Sequence, residues 1–224
     1  MRYLIVFIVS LFISLPVFSQ KKSATELRME KQGLVDISSM ESTILVDLMY
    51  SRADNFTGKV LYTDLRRAYL HPEAARALVK AQAELKRLRP DLSLKIYDAT
   101  RPMSVQQKMW DVVAGTPIYF YVSNPKNGGG LHNYGLAVDI TLCQASTGDT
   151  LHMGTKVDYM GKLAHVRAEA EMLKKGKISQ EAIRNRKLLR KVMGTAGFKV
   201  LPTEWWHFNF RSRAEAKAKY KVVK

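Results

Sequence analysis

The sequence predicts a single α+β domain: a small, largely antiparallel sheet flanked by helices. Three observations carry this. Stretches of apolar/polar alternation and stretches of helical spacing are intermixed along the chain without a clean βαβ repeat. Glycine and proline punctuate the segments, and no internal repeat or low-complexity linker divides the 224 residues. With 46% hydrophobic and 25% charged residues the chain is ordinarily globular, which excludes collagen-like and disordered classes.

The elements follow in order. Ile44, Val46, Leu48 and Tyr50 alternate with Leu45, Asp47 and Met49 as in a strand, and Asn55-Phe56-Thr57-Gly58 reads as the turn after it. Pro72 opens a helix to Leu88 with Ala75, Leu78, Val79, Gln82 and Leu85 on one face, and Pro90 stops it. Leu94 to Tyr97 is a short strand broken by Arg101-Pro102; Ser104 then caps a helix carrying Val105, Met109, Val112 and Val113. A glycine-rich loop, Asn124 to Gly130, leads into a strand whose apolar face is Leu136, Val138, Ile140 and Leu142 and whose other face holds Asp139. Ser179 or Gln180 begins a helix through Ile183, Leu188, Leu189 and Val192, closed by Gly194 and Gly197. The aromatic run Trp205 to Phe210 is the last strand, with Trp206, Phe208 and Phe210 facing one way and Trp205, His207 and Asn209 the other.

Residues 1–19 read as a secretory signal peptide: Met1-Arg2-Tyr3 gives a positive start, and Leu4 to Phe18 is almost wholly apolar. That stretch is shorter than the roughly 20 residues that span a bilayer, and no cysteine follows it as in a lipoprotein. The expectation is a periplasmic or otherwise exported protein with no membrane span after cleavage. Lys+Arg 36 against Asp+Glu 20 gives a net charge of +16, which attracts anions such as nucleic acid, phospholipid or acidic wall polymers. Export removes nucleic acid and leaves cell-wall polymers as the anionic partner. Arg184, Arg186, Lys187, Arg190 and Lys191 share one helix and read as its solvated face. The single Cys143 rules out an intrachain disulfide and a multi-cysteine zinc cluster, so a metal site has to be built from His, Asp and Glu.

Such a set exists. His132 and Asp139 flank the turn Asn133-Tyr134-Gly135, which folds the histidine back over the start of the strand carrying the aspartate. Catalytic zinc takes three protein ligands and keeps a position for water; His207 is the best third. Glu204 lies just before it, and in a regular strand the two side chains diverge, so bringing both to one ion needs a bend at Pro202-Thr203. Each residue taken singly has a structural explanation: a histidine near a glycine turn, two tryptophans in a core, an arginine at 101 paired with Asp98 or Asp111. His71, His152 and His165 have no partner at metal-ligand spacing, and Cys143 reads as a buried small hydrophobe.

Taken together the motifs Asp47-Leu-Met-Tyr50, Asp54-Asn-Phe-Thr-Gly58, Tyr97-Asp-Ala-Thr-Arg-Pro102, His132-Asn-Tyr-Gly-Leu-Ala-Val-Asp139, Met153-Gly-Thr-Lys-Val-Asp158 and Glu204-Trp-Trp-His207 resemble, in their order, the zinc D-alanyl-D-alanine dipeptidases of the vancomycin-resistance type. The resemblance runs from Val46 to Phe210. It implies the fold shared with D-Ala-D-Ala carboxypeptidases and the Hedgehog signalling domain, and a zinc dipeptidase domain over 20–224. It also implies that one zinc is held by His132, Asp139 and His207, that Glu204 is the general base, and that Arg101 polarises the scissile carbonyl and holds the oxyanion. Asp158 would accept the substrate's amino group and Tyr50 line the pocket. The substrate implied is a small peptide, D-Ala-D-Ala or a similar D-amino-acid dipeptide of peptidoglycan metabolism. The alternatives are a D,D-carboxypeptidase trimming stem peptides and a catalytically silent zinc-containing wall-binding module. In one place the chain departs from the pattern. Where the dipeptidases place serines that help hold the substrate carboxylate, it has Gly130-Leu131, which leaves that task to backbone N–H groups of the glycine loop.

Overall fold

The alternating run after the glycine loop becomes the central strand of the molecule, with both faces buried. The computed structural model describes residues 21–224; the segment read as a signal peptide, 1–19, lies outside the described residues. In chain order the elements are α1 (Ala24–Lys31), β1 (Val35–Asp36), α2 (Ile37–Met40), β2 (Leu45–Val46), β3 (Tyr69–Leu70), α3 (Pro72–Leu88), β4 (Leu92–Asp98) and α4 (Met103–Val113), then β5 (Ala137–Gln144), α5 (Glu169–Lys174), α6 (Gln180–Thr195), β6 (Lys199–Leu201), β7 (Glu204–Asn209) and α7 (Arg213–Lys219). Five strands form one sheet in the order β2-β4-β5-β7-β6, antiparallel except for the β2–β4 pair, and β1 with β3 forms a separate two-stranded ribbon. Helix α3 packs on β4, α6 on β5 and β6, and the two helices touch each other. This is the predicted α+β domain. Among the described residues no helix is long and apolar enough to cross a membrane.

Helix α3 starts and stops where proline dictates, and its buried stripe is Ala74, Ala75, Ala77, Leu78, Ala81, Gln82 and Leu85, with Val79 at the margin. Three expectations are corrected. The strand expected over Ile44–Tyr50 is only Leu45–Val46; after the Asp47 N–H donates to the Ile96 carbonyl (2.9 Å) the chain turns through a short 3-10 helix, Met49–Ser51. An edge strand with one neighbour loses its ladder as soon as the chain turns inward, and here Tyr50 is drawn into the interior edge-on against Phe56 and Tyr62. Helix α4 starts two residues earlier than a Ser104 cap requires: Pro102 is its N-cap, and the Met103 N–H is taken by the Val223 carbonyl at 2.9 Å. The basic helix α6 is not solvated all along its charged positions. Arg186 is 0% exposed: Nε donates to the Met153 carbonyl (2.7 Å), a terminal nitrogen to the Leu163 carbonyl (3.0 Å), and the guanidinium lies 5.3 Å over the Trp205 ring. Position 186 falls in the stripe Ala182, Ile183, Leu189 and Met193, so helical period overrides charge. Arg190 is paired with Glu169, leaving Arg184, Lys187 and Lys191 exposed.

Candidate metal centre

Register brings the acidic and basic groups together. Asp139 on β5 stands opposite His207 of β7 on one side and Asp98 of β4 on the other, the last through a one-residue slip at Tyr97. His132 arrives on a 3-10 turn, Leu131–Tyr134, closed by Gly135 at φ +67. A Cβ on Gly135 would lie 2.9 Å from the backbone nitrogen of His71, so glycine alone fits both the conformation and the space. The turn folds the histidine over the strand start as the sequence requires. The bend before His207 is also present. Leu201 and Glu204 face each other across the Pro202-Thr203 turn, while Val200 pairs with Phe208, so Trp205, Trp206 and His207 bulge away from β6. That bulge puts Glu204 and His207 on the same cavity.

Three atoms converge. His132 Nε2 lies 3.2 Å from His207 Nδ1 and 3.3 Å from Asp139 Oδ1, and the last two are 2.9 Å apart. Each histidine directs its other ring nitrogen to a carbonyl acceptor: His132 Nδ1 donates to the Ala99 main-chain oxygen (2.6 Å), His207 Nε2 to Asn209 Oδ1 (2.8 Å). Those bonds set the tautomer of each neutral ring, so the converging nitrogens are the ones that offer lone pairs to an ion. Two lone pairs and a carboxylate oxygen facing one another repel unless a proton or a metal cation joins them. Tetrahedral zinc with bonds of about 2.0–2.1 Å has ligand atoms about 3.4 Å apart, so this donor set fits the ion. Without an ion, a proton shared among these groups takes the cation's place. Burial works to raise Asp139, but His132 and His207 hold it far below the usual carboxylate range; burial works against charged His132, but Asp139 outweighs it and raises its pKa.

Around the centre stand the other expected residues. Glu204 Oε2 is 4.0 Å from His207 Nδ1, and burial, with Asp139 and Asp158 nearby, pushes its carboxyl up to about 7 despite His207. Arg101 is buried and forms the ion pair with Asp98: Nε and Nη2 donate to Asp98 Oδ2 at 3.0 and 2.5 Å, and Nη1 to Gln106 Oε1 at 2.9 Å. That leaves one N–H on each terminal nitrogen uncommitted. Asp158 has a backbone φ of +69, accepts from the Tyr50 hydroxyl on Oδ1 (3.2 Å), and keeps Oδ2 buried without a hydrogen-bond partner. Burial and then Asp139 push its carboxyl up to about 7, and burial and then Asp158 push the Tyr50 phenol well above its usual value.

His132, Asp139, His207, Glu204, Arg101, Asp158 and Tyr50 all line one cavity of about 680 Å3. The remaining histidines have structural settings: His71 Nδ1 accepts from the Glu73 N–H at the start of α3, His165 Nε2 bonds the Tyr121 hydroxyl (2.8 Å), and His152 is exposed. Cys143 is buried. One expectation fails. The three glycine amides of the loop are turned inward, with Gly128, Gly129 and Gly130 N–H donating to Pro125 O, Asn124 O and Asn133 Oδ1, so none of these three is left for a ligand. The expected pairing of Arg101 with Asp98 is present, whereas the sequence does not single out Gln106, which also holds Arg101, or the role of Asn209, whose position two residues after His207 on one strand face is the available signal.

Three candidate ligands beside a cavity, rather than a closed set of four, are what a catalytic metal centre requires, and a carboxylate next to them suits hydrolysis. The chain belongs to the Peptidase_M15 family, whose model, described as D-ala-D-ala dipeptidase, matches residues 30–223; it is therefore a peptidase of a metallopeptidase family. It is similar to the D-alanyl-D-alanine dipeptidase of Escherichia coli (strain K12), 34% identical over 183 residues, covering 81% of this chain and 86% of the relative. The D-alanyl-D-alanine dipeptidases of Enterococcus faecalis (strain ATCC 700802 / V583) and Enterococcus faecium are each 28% identical, covering 80% and 74% of this chain and 91% and 85% of the relatives.

Proposed function

We propose that this chain is a zinc-dependent dipeptidase that cleaves D-Ala-D-Ala or a similar short D-amino-acid dipeptide in peptidoglycan metabolism. The observation that carries the reading is the convergence of His132 Nε2, Asp139 Oδ1 and His207 Nδ1 on one point, with the other nitrogen of each ring bonded elsewhere. The names of the similar proteins supply the substrate. When bound, zinc supplies Lewis acidity to the scissile carbonyl and makes water acidic enough to attack near neutral pH. Glu204 takes that water's proton on its carboxylate and returns it to the leaving nitrogen. The uncommitted N–H groups of Arg101 meet the negative charge that builds on the carbonyl oxygen, while Asp98 and Gln106 hold the guanidinium still. Asp158 receives the substrate ammonium on Oδ2, and Tyr50 fixes the other oxygen. A carboxylate waiting for a free amine selects a dipeptide over a longer stem peptide, whose corresponding nitrogen is an uncharged amide.

The test is hydrolysis of D-Ala-D-Ala, L-Ala-L-Ala and a D-Ala-D-Ala-terminated pentapeptide by zinc-loaded protein, with metal analysis alongside. The expected result is one zinc per chain and cleavage of the free D,D-dipeptide only. Pentapeptide cleavage at a comparable rate overturns the dipeptidase reading in favour of a carboxypeptidase. Export through residues 1–19 belongs to the same proposal, as does attraction of exposed Arg184, Lys187 and Lys191 to anionic wall polymers. N-terminal sequencing of the protein from cell fractions checks the first. Wall retention that is indifferent to salt overturns the second.

A further inference from the structure

A zwitterionic dipeptide brings a carboxylate as well as an ammonium, and the groups already placed leave that carboxylate without a partner. Asp139, Asp158 and Glu204 repel it. The three glycine amides of the loop are turned inward. Arg211, further along the cavity, is paired with Glu73 at 2.5 Å. Ser123 is different. Its hydroxyl makes no hydrogen bond among the described residues, although the residue lines the cavity beside the segment that carries His132. Its main chain is tied to the catalytic side: Gln106, 1% exposed, donates from Nε2 to the Ser123 carbonyl at 2.8 Å and accepts from Arg101 on Oε1.

The neighbouring segment makes room for this hydroxyl. Gly130, two residues before His132, has φ −107 and ψ −177, extended backbone that any residue adopts, so conformation does not require a glycine there. Space does. A Cβ on residue 130 would stand 2.9 Å from Ser123 Oγ and 3.3 Å from its Cβ, and would drive the hydroxyl out of its place.

We propose that the Ser123 hydroxyl is a specificity-determining donor that holds the α-carboxylate of the dipeptide's C-terminal residue, and that Gly130 is glycine to leave it that position. This rests on the dipeptidase reading. The hydroxyl donates its hydrogen to a carboxylate oxygen and no covalent step is involved. Holding the carboxylate fixes which end of the dipeptide leaves, complementing Asp158 at the amine.

The experiment measures kcat and KM for a D,D-dipeptide and for its C-terminal amide, in variants whose zinc content and circular dichroism match the wild type. Ser123→Ala raises KM for the free dipeptide about tenfold or more, the worth of a hydrogen bond to a charged group, with kcat little changed and the amide hardly affected. Gly130→Ala, which displaces the hydroxyl without removing it, has the same effect. Ser123→Gly/Gly130→Ser offers a hydroxyl from the neighbouring segment and recovers most of the loss. An unchanged KM in Ser123→Ala, or equal losses on dipeptide and amide, overturns the proposal. So does loss of the carboxylate preference in Lys199→Met instead, since exposed Lys199 also lines the cavity. A wild-type enzyme that cleaves no dipeptide overturns the underlying reading and this one with it; a wild type that does, with Ser123→Ala unaltered, overturns this one alone.

Discussion

Asp139 and His207 face each other across paired strands, whereas Tyr50, Asp158 and Ser123 reach the same cavity from a 3-10 turn, a left-handed loop residue and an irregular segment. Two of the three groups at the metal end are therefore fixed by ladder hydrogen bonds that any strand-forming side chain supports, and the third, His132, by the glycine-closed turn before β5. The substrate end is fixed by individual contacts: the Tyr50–Asp158 bond, the Gln106–Ser123 bond, and buried Arg186 holding the Met153 and Leu163 carbonyls on either side of Asp158. Two consequences follow. Changes at the metal end act on metal occupancy or on chemistry, with the scaffold intact; changes at the substrate end act on affinity and on local stability together.

The largest effect belongs to the metal end. His207→Ala removes one of three ligands, and metal analysis of the purified variant should show loss of stoichiometric zinc together with activity; full occupancy at wild-type affinity would remove His207 from the ligand set. Next comes Glu204→Gln, which keeps size and polarity and deletes the proton acceptor. Zinc should stay while turnover falls about 100-fold or more. Near wild-type turnover with zinc retained would shift the role of base to another carboxylate, Asp158 first.

The same division explains what the sequence shows. Period-two alternation sets the register of β5, and once Asp139 is placed, a histidine on a neighbouring strand and another across a glycine turn follow from spacing. The Pro202-Thr203 bend was readable because the reading needed it. Tyr50 was assigned to a strand that ends at Val46, since alternation cannot reveal where an edge strand loses its partner. Arg186 was hidden by its charge: five basic residues on one helix look like a surface, although 186 falls between Ile183 and Leu189 in the buried stripe. Ser123 left no pattern at all, because its role depends on the space over Gly130, set by two loops meeting.

At the substrate end, Asp158→Asn should separate affinity from stability. With a neutral amide in place of the ammonium's partner, kcat/KM on the dipeptide falls about 30-fold or more. The metal-free protein should become more stable. A carboxyl whose pKa rises from 3.8 unfolded to about 7 folded makes the fold less stable as pH rises, with no penalty below the lower value and the full penalty above the upper. Denaturation of apo Asp158→Asn against wild type should show no gain near pH 3.5 and a gain on the order of 1–3 kcal/mol at pH 8. A variant that loses both activity and stability at pH 8 would mean that Asp158 is a structural acid.

The smallest effect tests whether the metal end is as uniform as its strands suggest, because its two histidines are supported differently. His132 leans on the Ala99 main-chain carbonyl, which no side-chain substitution removes, and His207 on the Asn209 side chain. Asn209→Ala strips the acceptor from His207 Nε2 and frees the ring to turn or to change tautomer. Zinc affinity in a buffered-metal titration should fall about 10–100-fold, while kcat at saturating zinc stays close to wild type, since the ligand itself remains. Asn209→Asp offers a stronger acceptor at the same reach and should restore the affinity. If Asn209→Ala binds zinc as tightly as wild type, the pairing of β5 with β7 alone orients His207, and the metal end owes nothing to side-chain support.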